Sequence, residues 1–198
     1  EKMSKSKKNV IDPGEIIDLY GADTARWFML SDSPPDRDLE WTETGVVSSY
    51  KFINKIWDLV EKSTSYKADL SSLDKGLLEK FDKIINDVSN NIEGFHFNKS
   101  VAKIYEFVNL LSSSLTKKSI LEKDLLEVIH NLTIIIHPFI PHISEEMWSK
   151  MGQKGLCAST NWPKTKKIFE KTVIKMPVQI NGKTRSIVEI AHDQDKDV

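Results

Sequence analysis

Four lysines and two serines surround a single methionine in the first eight residues, Glu1-Lys2-Met3-Ser4-Lys5-Ser6-Lys7-Lys8. A lysine ammonium is a compact, strongly hydrated point charge on a flexible stem, so Lys2 and Lys5, three residues apart, can reach one polyphosphate from a single loop. The hydroxyls of Ser4 and Ser6, with the loop amides, supply further donors. The segment has too little apolar surface to pack as core, which places it at the surface as a mobile loop. The plain alternative is a solvated basic tail. Asn9 and Asp12 suit capping or bracing of this loop, while Lys7 and Lys8 suit solvent.

Such a loop needs a scaffold, and the composition supplies one. With 39% hydrophobic residues and five tryptophans among 198 residues, the chain can bury a core of one large domain, or of one ordinary domain with small attachments. Lys plus Arg is 28 against 29 for Asp plus Glu, so the net charge of -1 gives no strong overall field and any contact with nucleic acid must come from local patches. A single cysteine, Cys157, excludes an internal disulfide and a Cys-rich zinc site, and fits a reducing compartment. No apolar run approaches the roughly 20 residues that a membrane-spanning helix needs. The chain starts at Glu1 without an initiator methionine and ends on the charged run Asp193 to Val198, which reads as a piece of something longer.

Asp12-Pro13-Gly14 is a turn or helix start, with Pro suited to the first helical position. Ile16 to Tyr20 then form a short helix closed by Gly21, and Asp23 is placed to cap a next helix over Thr24 to Leu30, in which Arg26 points away from the apolar residues. Ser33-Pro34-Pro35-Asp36 breaks the chain. From Thr42, Val46, Tyr50, Ile53, Trp57 and Val60 recur at steps of three and four, predicting a helix to about Ser63 with that face inward. A polar, Ser-rich linker from Tyr66 to Leu73 precedes a second run, Leu77, Phe81, Ile84, Val88, Ile92 and Phe95. Asn98 is a candidate cap for a third, with Val101, Ile104, Tyr105, Val108 and Leu111. Ser119 and Glu122 have capping-box spacing before a fourth, with Leu125, Leu126, Ile129, Leu132 and Ile136. Pro138 and Pro141 end it, and Ser144 is placed to cap a last short helix through Trp148. The expected fold is mainly α: four or five amphipathic helices in an antiparallel bundle whose apolar stripes form the core.

Beyond a lysine-rich connector, Asn161 to Lys175, the period changes to two. Pro177 to Ile180 and Thr184 to Ile190 flank Asn181-Gly182, a strong hairpin signal. A lone hairpin is marginal in water, so this one either starts a further domain or leans on the bundle. His130, His137 and His142 are close in sequence, but prolines separate two of them and a helix corner explains them better than a metal. Glu145 and Glu146 fall in a helix first turn, where carboxylates favour the dipole, and are not read as a catalytic pair.

Several stretches together carry a resemblance. Lys2-Met3-Ser4-Lys5-Ser6 resembles the KMSKS signature of class I aminoacyl-tRNA synthetases. His137-Pro138-Phe139-Ile140-Pro141-His142-Ile143-Ser144-Glu145-Glu146-Met147-Trp148 resembles the helix junction of the anticodon-binding bundle shared by the enzymes for leucine, isoleucine, valine and methionine. Ser33-Pro34-Pro35, Leu39 to Val46, Phe52 to Trp57 and Val178 to Arg185 are similar to bacterial leucyl-tRNA synthetases. The likeness is weakest over Ser63 to Leu73 and Leu110 to Lys123.

The resemblance implies three parts: the KMSKS loop and the connective end of a catalytic region (1–41), an anticodon-binding-type helical bundle (42–162), and a connector with the start of a small C-terminal α/β domain (163–198). It implies an aminoacyl-tRNA ligase in the intact enzyme, with ATP and magnesium, leucine and leucine tRNA as reactants and partners, in a monomeric cytoplasmic protein. Lys2 and Lys5 would be catalytic, and Lys2, Ser4, Lys5 and Ser6 would bind ATP. Neither a HIGH motif nor most of a Rossmann core occurs in these residues, so this piece alone is expected to be inactive and to bind no cofactor. For RNA, the bundle offers Lys51, Lys55 and Lys62 and the hairpin offers Lys183 and Arg185, with backbone and shape contacts expected because the leucine family does not generally read the anticodon. Trp41 and Trp57 could stack on bases, although core packing suits them better. The alternatives are the same region of an isoleucyl, valyl or methionyl enzyme, or a stand-alone helical binding module.

Overall fold

The computed structural model describes residues 3, 5–7, 10–35, 37–165, 174–180 and 183–190. Residues 1–165 form one compact unit and 166–198 a second. Among the described residues of the first unit are seven α-helices: α1 (Pro13–Tyr20), α2 (Ala22–Ser31), α3 (Glu43–Ser63), α4 (Leu77–Glu93), α5 (Phe97–Lys117), α6 (Glu122–Ile136) and α7 (Pro141–Lys150). They build the expected mainly α antiparallel bundle.

The centre of the core is α5. Ile104, Phe107, Val108 and Leu111 lose all contact with solvent there, packed by Leu77, Phe81, Ile84, Ile85 and Val88 of α4 and by Phe52 and Ile56 of α3. Burying an aliphatic or aromatic side chain of this size contributes roughly 1.5–3 kcal/mol, so this stripe stabilises the unit more than any cap does. The α3 helix starts where expected, since Thr42 is its N-cap and accepts a hydrogen bond from the Gly45 N–H. Its inward face differs from the expectation. Ser49, Phe52, Ile56 and Leu59 join Val46, Ile53 and Val60 inside, whereas Tyr50 is 41% exposed and Trp57 only half-buried. The two aromatics sit at the rim, where amphipathic rings keep one edge wet.

Other local assignments are overridden by packing. Asn98 is not a cap: His96 precedes α5, and Phe95, expected inside, is 70% exposed in a left-handed conformation that lifts it off the bundle. Ser119 and Glu122 make no capping box. Ser119 is buried, with its N–H given to Ser114, and Glu122 Oε1 instead accepts from the Ala68 N–H. The Ser-rich linker is thereby tied to the α5–α6 turn, to which Asp69 and Asp74 also donate their N–H groups and Tyr66 its hydroxyl. Leu126 faces outward at 61% exposure, one residue from the buried Leu125. Ser144 lies inside α7, buried, and donates to the Ile140 carbonyl.

In the second unit β1 (Ile174–Ile180) pairs antiparallel with β2 (Lys183–Ile190), from Ile174 opposite Ile190 to Ile180 opposite Lys183, with an irregularity after Val178. The expected Asn181-Gly182 turn lies outside the described residues.

Candidate functional site

The lysine loop leads into α1. A short 3₁₀ turn, Lys5–Lys7, carries Ser6 and Lys7 on the surface, and Met3 is 43% exposed. Lys2 and Ser4 lie outside the described residues, as do Lys8, Asn9 and the side chain of Lys5. Asp12 is the N-cap of α1, accepting from the Gly14 N–H at 2.8 Å, with Pro13 in the first turn. α1 buries none of its residues and leaves Ile17 and Leu19 exposed. A single residue, Gly21 with φ 83°, turns α1 into α2, and Thr24 donates its hydroxyl to the Tyr20 carbonyl at 2.7 Å. Positive φ suits glycine because no Cβ meets the backbone there.

α2 is the anchor. Trp27 is fully buried, stacked on Phe52 of α3 at 5.1 Å, edge-on to Tyr105 of α5 and to Phe139 beyond α6, and its indole N–H donates to the Tyr105 hydroxyl. Asp23 was expected to cap its own helix. The structure begins α2 at Ala22 and sends the Asp23 carboxylate across the unit to the start of α7. Oδ2 accepts from the Ile143 N–H at 2.7 Å, and Oδ1 accepts from the His142 N–H at 3.3 Å and lies 2.9 Å from His142 Nδ1. α7 opens on Ile140 and Pro141 and has no cap of its own, so a carboxylate from another helix satisfies its first amides and meets the positive end of its dipole. One turn along α2, Arg26 donates from Nε to the Phe139 carbonyl and from Nη2 to that of Pro138. Sequence reasoning missed this pair. The signal was indirect: a helix starting on Ile-Pro lacks an acceptor, and one must come from elsewhere.

The corner between α6 and α7 has a second brace. Glu145 accepts the amide hydrogens of Cys157 and Ala158 and lies 3.1 Å from His137 Nε2. Burial pushes its carboxyl up, but those amides and His137 outweigh it and hold its pKa below the usual carboxylate value. α7 starts at Pro141 and has no acidic residue in its first turn, so Glu145 and Glu146, expected there beside the dipole, lie further in, and Glu145 braces the corner instead. The three histidines go to different partners, His130 to the Trp148 ring, His137 to Glu145 and His142 to Asp23.

The candidate RNA contacts sit on the outer side of α3 and on β2. Lys51 and Lys62 are exposed, and Lys55 is half-buried with Nζ donating to Asn109 at 2.8 Å. Arg185 is exposed on β2, whereas the side chain of Lys183 lies outside the described residues. Trp41 packs edge-on to Phe28, and the Trp57 ring carries Lys150 over its face, Lys150 pairing with Glu61. Among the described residues, no group of three or more His, Cys, Asp or Glu could hold a metal ion. No described helix is long and apolar enough to cross a membrane.

Residues 74–198 match the family model described as the anticodon-binding domain of tRNA ligase, and residues 1–42 match that of the class I tRNA synthetases for I, L, M and V. The chain is 42% identical over 197 residues to the leucine–tRNA ligase of Ruegeria pomeroyi, covering 98% of this chain and 23% of that protein. It is 42% identical over 205 residues to that of a Jannaschia species, covering 99% and 23%. Among solved structures, the LeuRS in a ternary LeuRS-tRNA-LeuAMS complex from Agrobacterium radiobacter is similar, with a TM-score of 0.73 and 27% identity, covering 99% of this chain and 26% of that one. The chain thus spans about a quarter of the length of the relatives it matches.

Proposed function

The chain belongs to the anticodon-binding domain family of the tRNA ligases, and from this we propose that it is the tRNA-binding part of a leucine–tRNA ligase, joined to the phosphate-binding loop of that enzyme's catalytic region. The observation that carries the reading is order: a class I synthetase segment at 1–42 precedes an anticodon-binding domain at 74–198 in a chain similar to leucine–tRNA ligases almost from end to end. We accordingly assign 1–41 to the loop and the end of the catalytic region, 42–162 to the bundle, and 163–198 to a connector and the start of a small α/β domain.

In the whole enzyme the leucine carboxylate attacks the α-phosphorus of ATP, pyrophosphate leaves, and the leucyl group passes to the 3' end of leucine tRNA. Displacement at phosphorus leaves a protein mainly positioning and charge stabilisation to supply. Lys5 meets the phosphates as charge moves onto the departing pyrophosphate, Lys2 assists, and Ser4 and Ser6 donate hydrogen bonds. A surface turn with lysines and serines fits polyphosphate, and magnesium carried with ATP would add to the neutralisation of phosphate charge that Lys2 and Lys5 supply. Lys51, Lys55, Lys183 and Arg185 contact the tRNA backbone, and the enzyme works as a cytoplasmic monomer.

The test is leucine-dependent ATP–pyrophosphate exchange in the full-length enzyme. Lys5→Ala lowers kcat by about a hundredfold, the effect of removing one well-placed charged donor worth about 3 kcal/mol, with a smaller change in the KM for ATP. Unchanged turnover in that variant removes the assignment.

A further inference from the structure

We infer that Asp23 and Arg26 are positioning residues for the lysine loop, holding the α1–α2 segment to the α6–α7 corner so that the loop meets its phosphates in register. The inference rests on the reading of the loop given above. α1, the first helix after the loop, buries no residue, and among the described residues its ties to the rest of the unit include an edge contact of Tyr20 with Tyr50, the Thr24 hydroxyl on the Tyr20 carbonyl and its junction to α2 through Gly21. Where α2 goes, α1 follows. α2 is fixed by its apolar face, Trp27 and Phe28, and by the ionic side chains one turn apart.

Packing of Trp27 sets how deep α2 sits, but a ring among other rings tolerates rotation and sliding along the helix axis. Directional hydrogen bonds remove that freedom. Asp23 accepts two consecutive amides at the start of α7, and Arg26 donates to two consecutive carbonyls at Pro138 and Phe139, so the two charges grip opposite poles of one corner 112 to 120 residues away in the chain. The His142 ring on Asp23 Oδ1 adds a third contact on the same carboxylate. A change of one turn or a fraction of a turn in α2 would break all of them together, giving the segment one register. Positioning of this kind appears in turnover because a loop misplaced by about 1 Å costs on the order of a hundredfold in rate.

The experiment uses the full-length enzyme and a cycle of variants: Arg26→Leu, Lys5→Ala and the double change, with Arg26→Lys as the conservative variant. Leucine-dependent pyrophosphate exchange is measured well below each variant's melting temperature. Arg26→Leu is expected to lower kcat at least tenfold with the KM for leucine unchanged. Arg26→Lys, which keeps the charge and one donor but not the fork, recovers part of that loss. In the double variant the two losses fall well short of multiplying, because both act through Lys5. A wild-type kcat in Arg26→Leu, or losses that multiply in full, overturns the inference. Should Arg26→Leu fail to fold, Arg26→Lys combined with Lys5→Ala gives the same cycle and the same decision. Normal exchange in Lys5→Ala removes the reading of the loop itself. An impaired Lys5→Ala beside a normal Arg26→Leu removes only the positioning role.

Discussion

Glu145 joins two pieces of chain to its own turn: the end of α6 through His137, and the Cys157–Ser159 turn through two amides. Its folded pKa is depressed, so the stability it contributes is present above the ordinary carboxylate value and is lost as pH falls through the lower folded one. Glu145→Gln offers these donors a neutral amide in place of a carboxylate, and is expected to lower unfolding stability by about 1–2 kcal/mol near neutral pH. Urea titrations across pH check the sign: the gap between the variant and the parent is full above the ordinary carboxylate range and closes as pH falls through the lowered folded value and Glu145 takes up its proton. The same carboxylate acts on its neighbour Cys157. Burial first, and the Glu145 charge second, push that thiol up to about 11. Thiolate is the reactive form, so alkylation by iodoacetamide at pH 8 is expected to be slow in the folded protein and fast in denaturant. Equal rates in the two states would show that the pocket around Cys157 is open.

At the level of elements, Gly45 in the first turn of α3 shows how a tertiary contact overrides propensity. A Cβ there would stand 2.5 Å from the ring of the buried Phe28 and 2.7 Å from the capping hydroxyl of Thr42. Alanine is the better helix former by about 1 kcal/mol, yet crowding a packed ring costs roughly 1–3 kcal/mol. Gly45→Ala should therefore destabilise by about 1 kcal/mol, seen as a lower denaturant midpoint at unchanged slope, and its loss together with Phe28→Leu should be smaller than the sum. The helices themselves were legible in the sequence, because apolar steps of three and four survive any tertiary context and Pro13, Gly21, Thr42 and Pro141 mark real boundaries. Facing was less legible. In α3, steps counted from Val46 select Tyr50 and Trp57, although the helix buries a wider arc through Ser49, Phe52, Ile56 and Leu59. Caps failed for different reasons: Asp23 serves the start of α7 far along the chain, Ser144 lies inside α7 on the Ile140 carbonyl, and Ser119 is buried in the α5–α6 turn with its N–H on Ser114. For the candidate site, the lysine loop could be found as a string of residues. The clamp of Asp23 and Arg26 could not, since the backbone groups it holds lie more than 110 residues away.

On the scale of the molecule, a net charge of -1 means that no broad field draws RNA to this chain, so affinity must come from a few local cations. Lys51 and Lys62 stand on the outer side of α3 with Asp58 and Glu61 between them, and Lys55 is partly engaged by Asn109. That mixture makes α3 a weak magnet and favours contacts made one phosphate at a time. Binding of leucine tRNA should then depend on salt with a modest slope, each phosphate contact adding about 0.7 to 0.9 to the fall of log affinity with log salt. With the four proposed cations the slope should stay below about 4, and Lys51→Ala should reduce it by about 1. A salt series with leucine tRNA beside a non-cognate tRNA of similar length then separates charge from fit. If shape contributes, the preference for leucine tRNA persists as salt rises, because the lost counterion term is common to both RNAs. If the two affinities fall together and meet, this chain supplies charge alone, and discrimination among tRNAs is made by contacts outside it.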